Sequence, residues 1–212
     1  MNFSPVAILN QQQSTEKTST FIGFTGFTTD STSFSLSADA GVGNLVIGIH
    51  WEQSSSRTLT LSVNGVNATL LDSANASNTV TALYAIPIDG STSNVTASFS
   101  GNVLRCGMSL WSLQNFTQVP IPDSQQGGTS SNSVWNNIIS TYYPGDLVIN
   151  VLSTQGTNAN ISWTNATSRY SQNLENLMSV SGADFVLPNY NNYPYSASFA
   201  YNGFSVAGCI FR

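Results

Sequence analysis

The sequence predicts an all-β protein, a jelly-roll-like two-sheet sandwich built from two related units of about 100 residues. Three observations predict it. The first is composition. Of 212 residues, 41% are hydrophobic and only 7% charged, against about 25% charged in ordinary globular chains. Disordered chains combine low hydrophobicity with high charge, the opposite balance. The polar remainder is Ser, Thr and Asn, which suits hydroxyl-rich strand faces and tight turns. The second is periodicity. Apolar residues alternate over short runs bounded by turn residues, and no long segment sustains the i, i+3, i+4, i+7 spacing of a helix. The third is self-similarity. Gly43-Asn44-Leu45-Val46-Ile47 returns as Gly145-Asp146-Leu147-Val148-Ile149, and Asn67-Ala68-Thr69 as Asn165-Ala166-Thr167. Ala82–Pro87 returns as Ala183–Pro188, and Ala97-Ser98-Phe99 as Ala197-Ser198-Phe199. All four matches keep their order at offsets of 98 to 102.

The elements follow in chain order. Residues 1–20 read as an N-terminal arm, polar over Gln11–Thr20 with an apolar stretch at Phe3–Leu9. Such an arm is either flexible or added to a neighbouring sheet edge. Residues 21–116 form the first unit. In it Ser33–Ala38 alternates, and Leu45–Trp51 sets Leu45, Ile47, Ile49 and Trp51 against Val46, Gly48 and His50. Leu59–Val63 runs into Asn64-Gly65, a type I′ hairpin signal, and the chain continues through Ala68–Leu71. Thr79–Ile88, Asn94–Ser100 and Val103–Leu113 complete the unit. Residues 117–133, rich in Pro, Gly, Ser and Gln, read as a linker. Residues 134–212 are the second unit. About twelve strands exceed one flat sheet, so two packed sheets are expected; the units either share one core, the preferred reading, or form two tandem domains.

Charge narrows the partners. Ten acids and five bases give a net charge of −5, and Lys17 is the only lysine. No basic patch can form, which excludes nucleic-acid binding by counterion release. No run of about 18 apolar residues exists to cross a membrane as a helix. The N-terminus lacks the basic and apolar regions of a signal peptide, so the seven Asn-x-Ser/Thr triplets read as composition.

The chemistry-bearing residues are few. His50, the only histidine, shares strand parity with Glu52. An acid–base pair is one reading; a packed strand residue is the other and the preferred one. No Gly-x-Ser-x-Gly elbow is present, and most acids sit at turn positions where they cap backbone. A glycosidase would need a close carboxylate pair, with Glu52 and Glu175 as candidates. No catalytic residue, metal site or cofactor is predicted. Cys106 and Cys209 fall at opposite parity on equivalent strands, which predicts two packed thiols and no disulfide. Among the aromatics, Pro188–Tyr195 stands out as an uncharged turn-rich loop with Tyr190, Tyr193 and Tyr195. These three are the candidate binding residues, for a partner subunit or a glycan. The competing reading folds them back onto the sandwich end.

The run Gly43–Glu52, followed by Leu61–Leu70, Ala82-Leu83-Tyr84 and Val95–Gly101, resembles a widespread group of β-sandwich proteins from bacteria and their phages. In that group a G-(N/D)-x-L-V-V-x-V-x-W strand precedes a V-x-x-G-(V/G)-x-L-T-L hairpin. A second half opens with P-G-D-L-V, as at Pro144-Gly145-Asp146-Leu147-Val148. The resemblance spans Leu36 to the C-terminus and carries fold rather than catalytic residues. A chain of this kind starting at Met1 without an export signal looks like a phage virion protein. The resemblance therefore implies a non-enzymatic virion structural protein, either capsid decoration (cement) or a fibre or spike component. It would sit on the particle exterior and assemble with itself and other virion proteins. The alternatives are a glycan-binding, receptor-binding adhesin at the cell surface and an extracellular filament subunit that donates a strand.

Overall fold

The computed structural model describes residues 16–76, 78–116, 121–122, 133–140, 142–156, 160–175, 177–188, 192–200 and 203–212. The described chain is all β. Residues 18–114 supply β1 (Thr18–Phe27), β2 (Ser31–Ala38), β3 (Val42–Glu52), β4 (Leu59–Val63), β5 (Val66–Asn67), β6 (Thr69–Ala76), β7 (Thr79–Asp89), β8 (Ser93–Val103) and β9 (Arg105–Gln114). Residues 121–211 supply β10 (Ile121–Pro122), β11 (Val134–Ile139), β12 (Leu147–Gln155), β13 (Ser162–Thr164), β14 (Thr167–Leu174), β15 (Met178–Val186), β16 (Tyr193–Ser198) and β17 (Phe204–Phe211).

These strands make four antiparallel sheets. The first stretch forms a five-stranded sheet, β1-β9-β3-β7-β6, and a four-stranded one, β2-β8-β4-β5. The second forms β10-β17-β12-β15-β14 and β11-β16-β13. Strands related by the sequence offset hold matching places: β3 and β12 are each central, flanked by β9 and β7 or by β17 and β15. A bulge at Leu71, between Leu70 and Asp72 of β6, has its counterpart at Arg169, between Ser168 and Tyr170 of β14.

Three apolar layers lie between the four sheets. Leu45, Ile47, Ile49 and Trp51 of β3 pack with Leu61, Val95 and Ala97 of the outer four-stranded sheet. Val148, Leu152 and Val206 pack with Trp135, Tyr195 and Ala197 of the outer three-stranded sheet. The third layer joins the two five-stranded sheets: Val46, Leu83 and Trp111 meet Ile149, Val151 and Val180. Each central strand is therefore buried on both faces, which is why it reads as a near-continuous apolar run.

Several boundaries differ from expectation. Thr18–Thr20, read as part of the arm, begin β1, an edge strand paired along β9. Its alternation was hidden by a bulge between Phe21 and Gly23. An extra residue reverses side-chain parity, so Ile22 and Phe27 pack into one layer while Phe21 and Phe24 pack into the next. β6 is also longer than the Ala68–Leu71 reading. Residues 1–15 of the arm, and 117–120 and 123–132 of the linker, lie outside the described residues.

Candidate functional site

The layer between the two five-stranded sheets contains a buried hydrogen-bond relay centred on His50. His50 has no solvent exposure. Its Nδ1 lies 2.8 Å from Ser153 Oγ on β12, and its Nε2 lies 2.7 Å from Tyr170 Oη on β14. Ser153 Oγ continues to Thr81 Oγ1 at 2.6 Å, and Thr81 to Ser205 Oγ at 2.8 Å. On the other side, Tyr170 Oη lies 3.0 Å from Ser109 Oγ, which donates to the Gly48 carbonyl at 3.2 Å.

That last bond sets the direction of the whole relay. A carbonyl only accepts, so the Ser109 hydroxyl proton is committed and Tyr170 donates to Ser109 Oγ. Tyr170 Oη then accepts from His50 Nε2–H. Nδ1 is left as the acceptor for Ser153, which in turn accepts from Thr81, which accepts from Ser205. Every hydroxyl in the relay has a donor role, and His50 is the neutral Nε2–H tautomer. Burial supports this state, because desolvation lowers the His50 pKa from 6.5 to about 3 and raises that of Tyr170.

Two further bonds cross between the same sheets. Trp111 Nε1 donates to Asp184 Oδ2 at 2.8 Å, and the Gly208 amide donates to Asp72 Oδ2 at 2.9 Å. Asp184 is also gripped by Arg169, through Nε at 2.8 Å and Nη2 at 2.7 Å. Arg169→Met would leave this buried carboxylate with Trp111 as its side-chain donor. The Arg169 side chain is a third exposed, so solvent screening reduces the loss below that of a fully buried pair, to about 2 kcal/mol. Urea denaturation of the variant checks this. Asp184→Asn in the same background should recover part of the loss.

Several other charged groups are similarly occupied. Glu52 does not serve His50: it pairs with Arg105, which also reaches Glu175 Oε2 at 3.2 Å. The two carboxylates considered for a glycosidase thus converge on one guanidinium. Buried Asp146 holds Arg212 at 2.9 Å and accepts from the Tyr143 amide. Asp89 caps its own turn through Ser91, which lowers its pKa. Among the described residues, no group of three His, Cys, Asp or Glu is placed to hold a metal. Cys106 and Cys209 are both fully buried thiols, in different layers, as opposite parity requires. Burial pushes the Cys106 pKa up.

The tyrosine loop divides. Tyr190 lies outside the described residues. Tyr193 is half-buried, stacked on Phe185 at 5.2 Å, and donates its hydroxyl to the Asn165 carbonyl. Tyr195 belongs to the core. It is 2% exposed, packs on Trp135 and Phe185, and bonds Asn137 and Asn150. Its ring is therefore not presented at the surface, and for this residue the fold-back reading holds. The relay residues Thr81, Ser109, Ser153, Tyr170 and Ser205 were not singled out from sequence. For Ser109 and Ser205 the signal was a hydroxyl inside an otherwise apolar strand, as Ser109 stands between Met108 and Leu110; Tyr170, on the polar edge strand β14, gave none. No protein-family model, curated protein or solved structure matches this chain.

Proposed function

We propose that the chain is a non-enzymatic structural component of a virus particle, a bacteriophage by the sequence resemblance. It would be carried on the exterior as capsid decoration or as part of a fibre or spike. The observation that carries this reading is the repeated strand order. With β5 and β6 taken as one strand that bends from sheet to sheet across Ala68, the first stretch reads 1-8-3-6-5 against 2-7-4-5, the fifth strand being shared by both sheets. We read that order as a jelly roll, and the second stretch as its copy. Jelly rolls are recurrent in viral capsid proteins and lectins. This support is fold-level analogy, joined to composition: few charges reduce the desolvation cost of burying large surfaces between subunits. Val42, Val66 and Leu70 on one stretch and Ile138 and Val186 on the other are at least half exposed. They are apolar contact points for a symmetric oligomer and for other virion proteins.

Immunogold electron microscopy of native source material tests the reading. Label in a lattice over capsids, or at tail tips and spikes, supports it. Label on free filaments or on cells without particles overturns it. A filament would restore strand donation by the N-terminal arm, and cells the adhesin reading.

A further inference from the structure

We propose that the groove between β1 and β14 is a binding site for a neutral saccharide chain. β1 and β14 are edge strands of the two facing five-stranded sheets. They splay to leave a concavity of about 540 Å³. One wall carries Phe21 and Phe24 of β1 and Thr28 just past its end, and the β14 wall carries Arg169, Tyr170 and Gln172. The aromatic side is pre-ordered: Phe24 stacks on Tyr170 at 4.4 Å, and Phe21 lies nearly parallel to the same ring at 5.9 Å. Phe21 and Phe24 are half-buried, so each keeps apolar surface for the C–H face of a pyranose.

The polar side is rich in uncommitted donors and acceptors. Thr28 and Gln172 are exposed and make no side-chain hydrogen bond among the described residues. Arg169 spends Nε and Nη2 on Asp184, leaving Nη1 as a donor. The same pair neutralises the groove, so it offers neither the unpaired cation an anion needs nor a spare carboxylate for a metal ion. A wholly apolar ligand would strand the amide and guanidinium donors.

An extended peptide is the competing occupant, because edge strands invite strand addition. Here both rims are broken at the groove, by the bulges at Ile22 and at Arg169. Bulges twist an edge away from a straight ladder and blunt such pairing. Rings with apolar faces and hydroxyl rims, which need no ladder, fit better. The inference goes beyond the particle reading and holds wherever the protein resides.

Calorimetric titration of the full chain with maltohexaose, cellohexaose and chitohexaose tests it. At least one should bind with Kd below about 1 mM. Thr28→Ala combined with Gln172→Ala should weaken that binding about tenfold, the equivalent of a lost hydrogen bond, while the unfolding midpoint stays put. Silence from all three sugars overturns the proposal. So does binding that the double variant leaves unchanged, or capture of an extended polar peptide at the groove with no sugar bound.

Discussion

Acidification from pH 6.5 to about 4.5 is expected to cost the fold about 2 kcal/mol through His50 alone. At this chain length that lowers the thermal midpoint by roughly 4–8 °C. The sign follows from proton uptake. His50 titrates at about 3 in the folded chain and near 6.5 when unfolded. Between those values the unfolded chain binds the extra proton, so stability is complete above 6.5 and falls as the pH drops, by about 1.4 kcal/mol per unit. The groups against the ring do not relieve this. Ser153, Tyr170 and Phe24 face it from β12, β14 and β1, and none carries charge in this range. Protonating Nδ1 would also force Ser153, Thr81 and Ser205 to reverse their hydroxyls, leaving the last proton to find a new acceptor. Denaturant unfolding at fixed ionic strength across this window measures the slope. His50→Gln keeps one donor and one acceptor but cannot titrate, so its stability should be lower at neutral pH and nearly flat to about 4.5. A wild-type slope no steeper than that of the variant would refute a buried neutral histidine.

The same residue shows what the sequence could and could not disclose. The parity of Leu45–Trp51 was plain, and it placed His50 opposite the main apolar face. Parity says which face a side chain shares; it does not say what covers that face. In a single sandwich the His50 face would meet solvent. Here a second five-stranded sheet covers it, and the partners Ser153 and Tyr170 lie 103 and 120 residues away. Such pairing is set by sheet-on-sheet docking, which leaves no local pattern. Strand positions along β3, β4, β7 and β9 were legible because alternation and the Asn64-Gly65 turn are local. β1 was not, because one bulged residue reversed its parity midway. The burial of Tyr195 was not legible for a related reason. Pro, Asn and Tyr together signal a turn, yet the aromatic stack with Trp135 and Phe185 draws the ring inward. The expectation of exposure rested on local composition, and burial was decided by partners about 60 and 10 residues away.

Gly182→Ala is expected to destabilise the protein by about 3 kcal/mol, where alanine in place of a strand glycine ordinarily gains about 0.5–1 kcal/mol. Gly182 of β15 pairs with Tyr170 on one side and Val151 on the other, and the Tyr170 ring lies across it. A Cβ there would stand 2.7 Å from Cζ and 2.8 Å from the hydroxyl oxygen. The ring cannot move away, because Phe24 stacks on it and His50 and Ser109 hold its hydroxyl. The substitution therefore adds overpacking to the loss of two buried hydrogen bonds. Gly48, in the facing sheet, makes room in the same layer for Ser109 and Val151. Gly23 has nothing within 4 Å of its would-be Cβ, so Gly23→Ala should stay within about 0.5 kcal/mol of wild type. If the penalty at Gly182 acts through the phenol, Tyr170→Leu should absorb much of it. The double variant Gly182→Ala/Tyr170→Leu would then fall short of the summed single losses by more than about 1 kcal/mol. Simple additivity in that cycle would detach Gly182 from the relay and assign its cost to contacts other than the phenol.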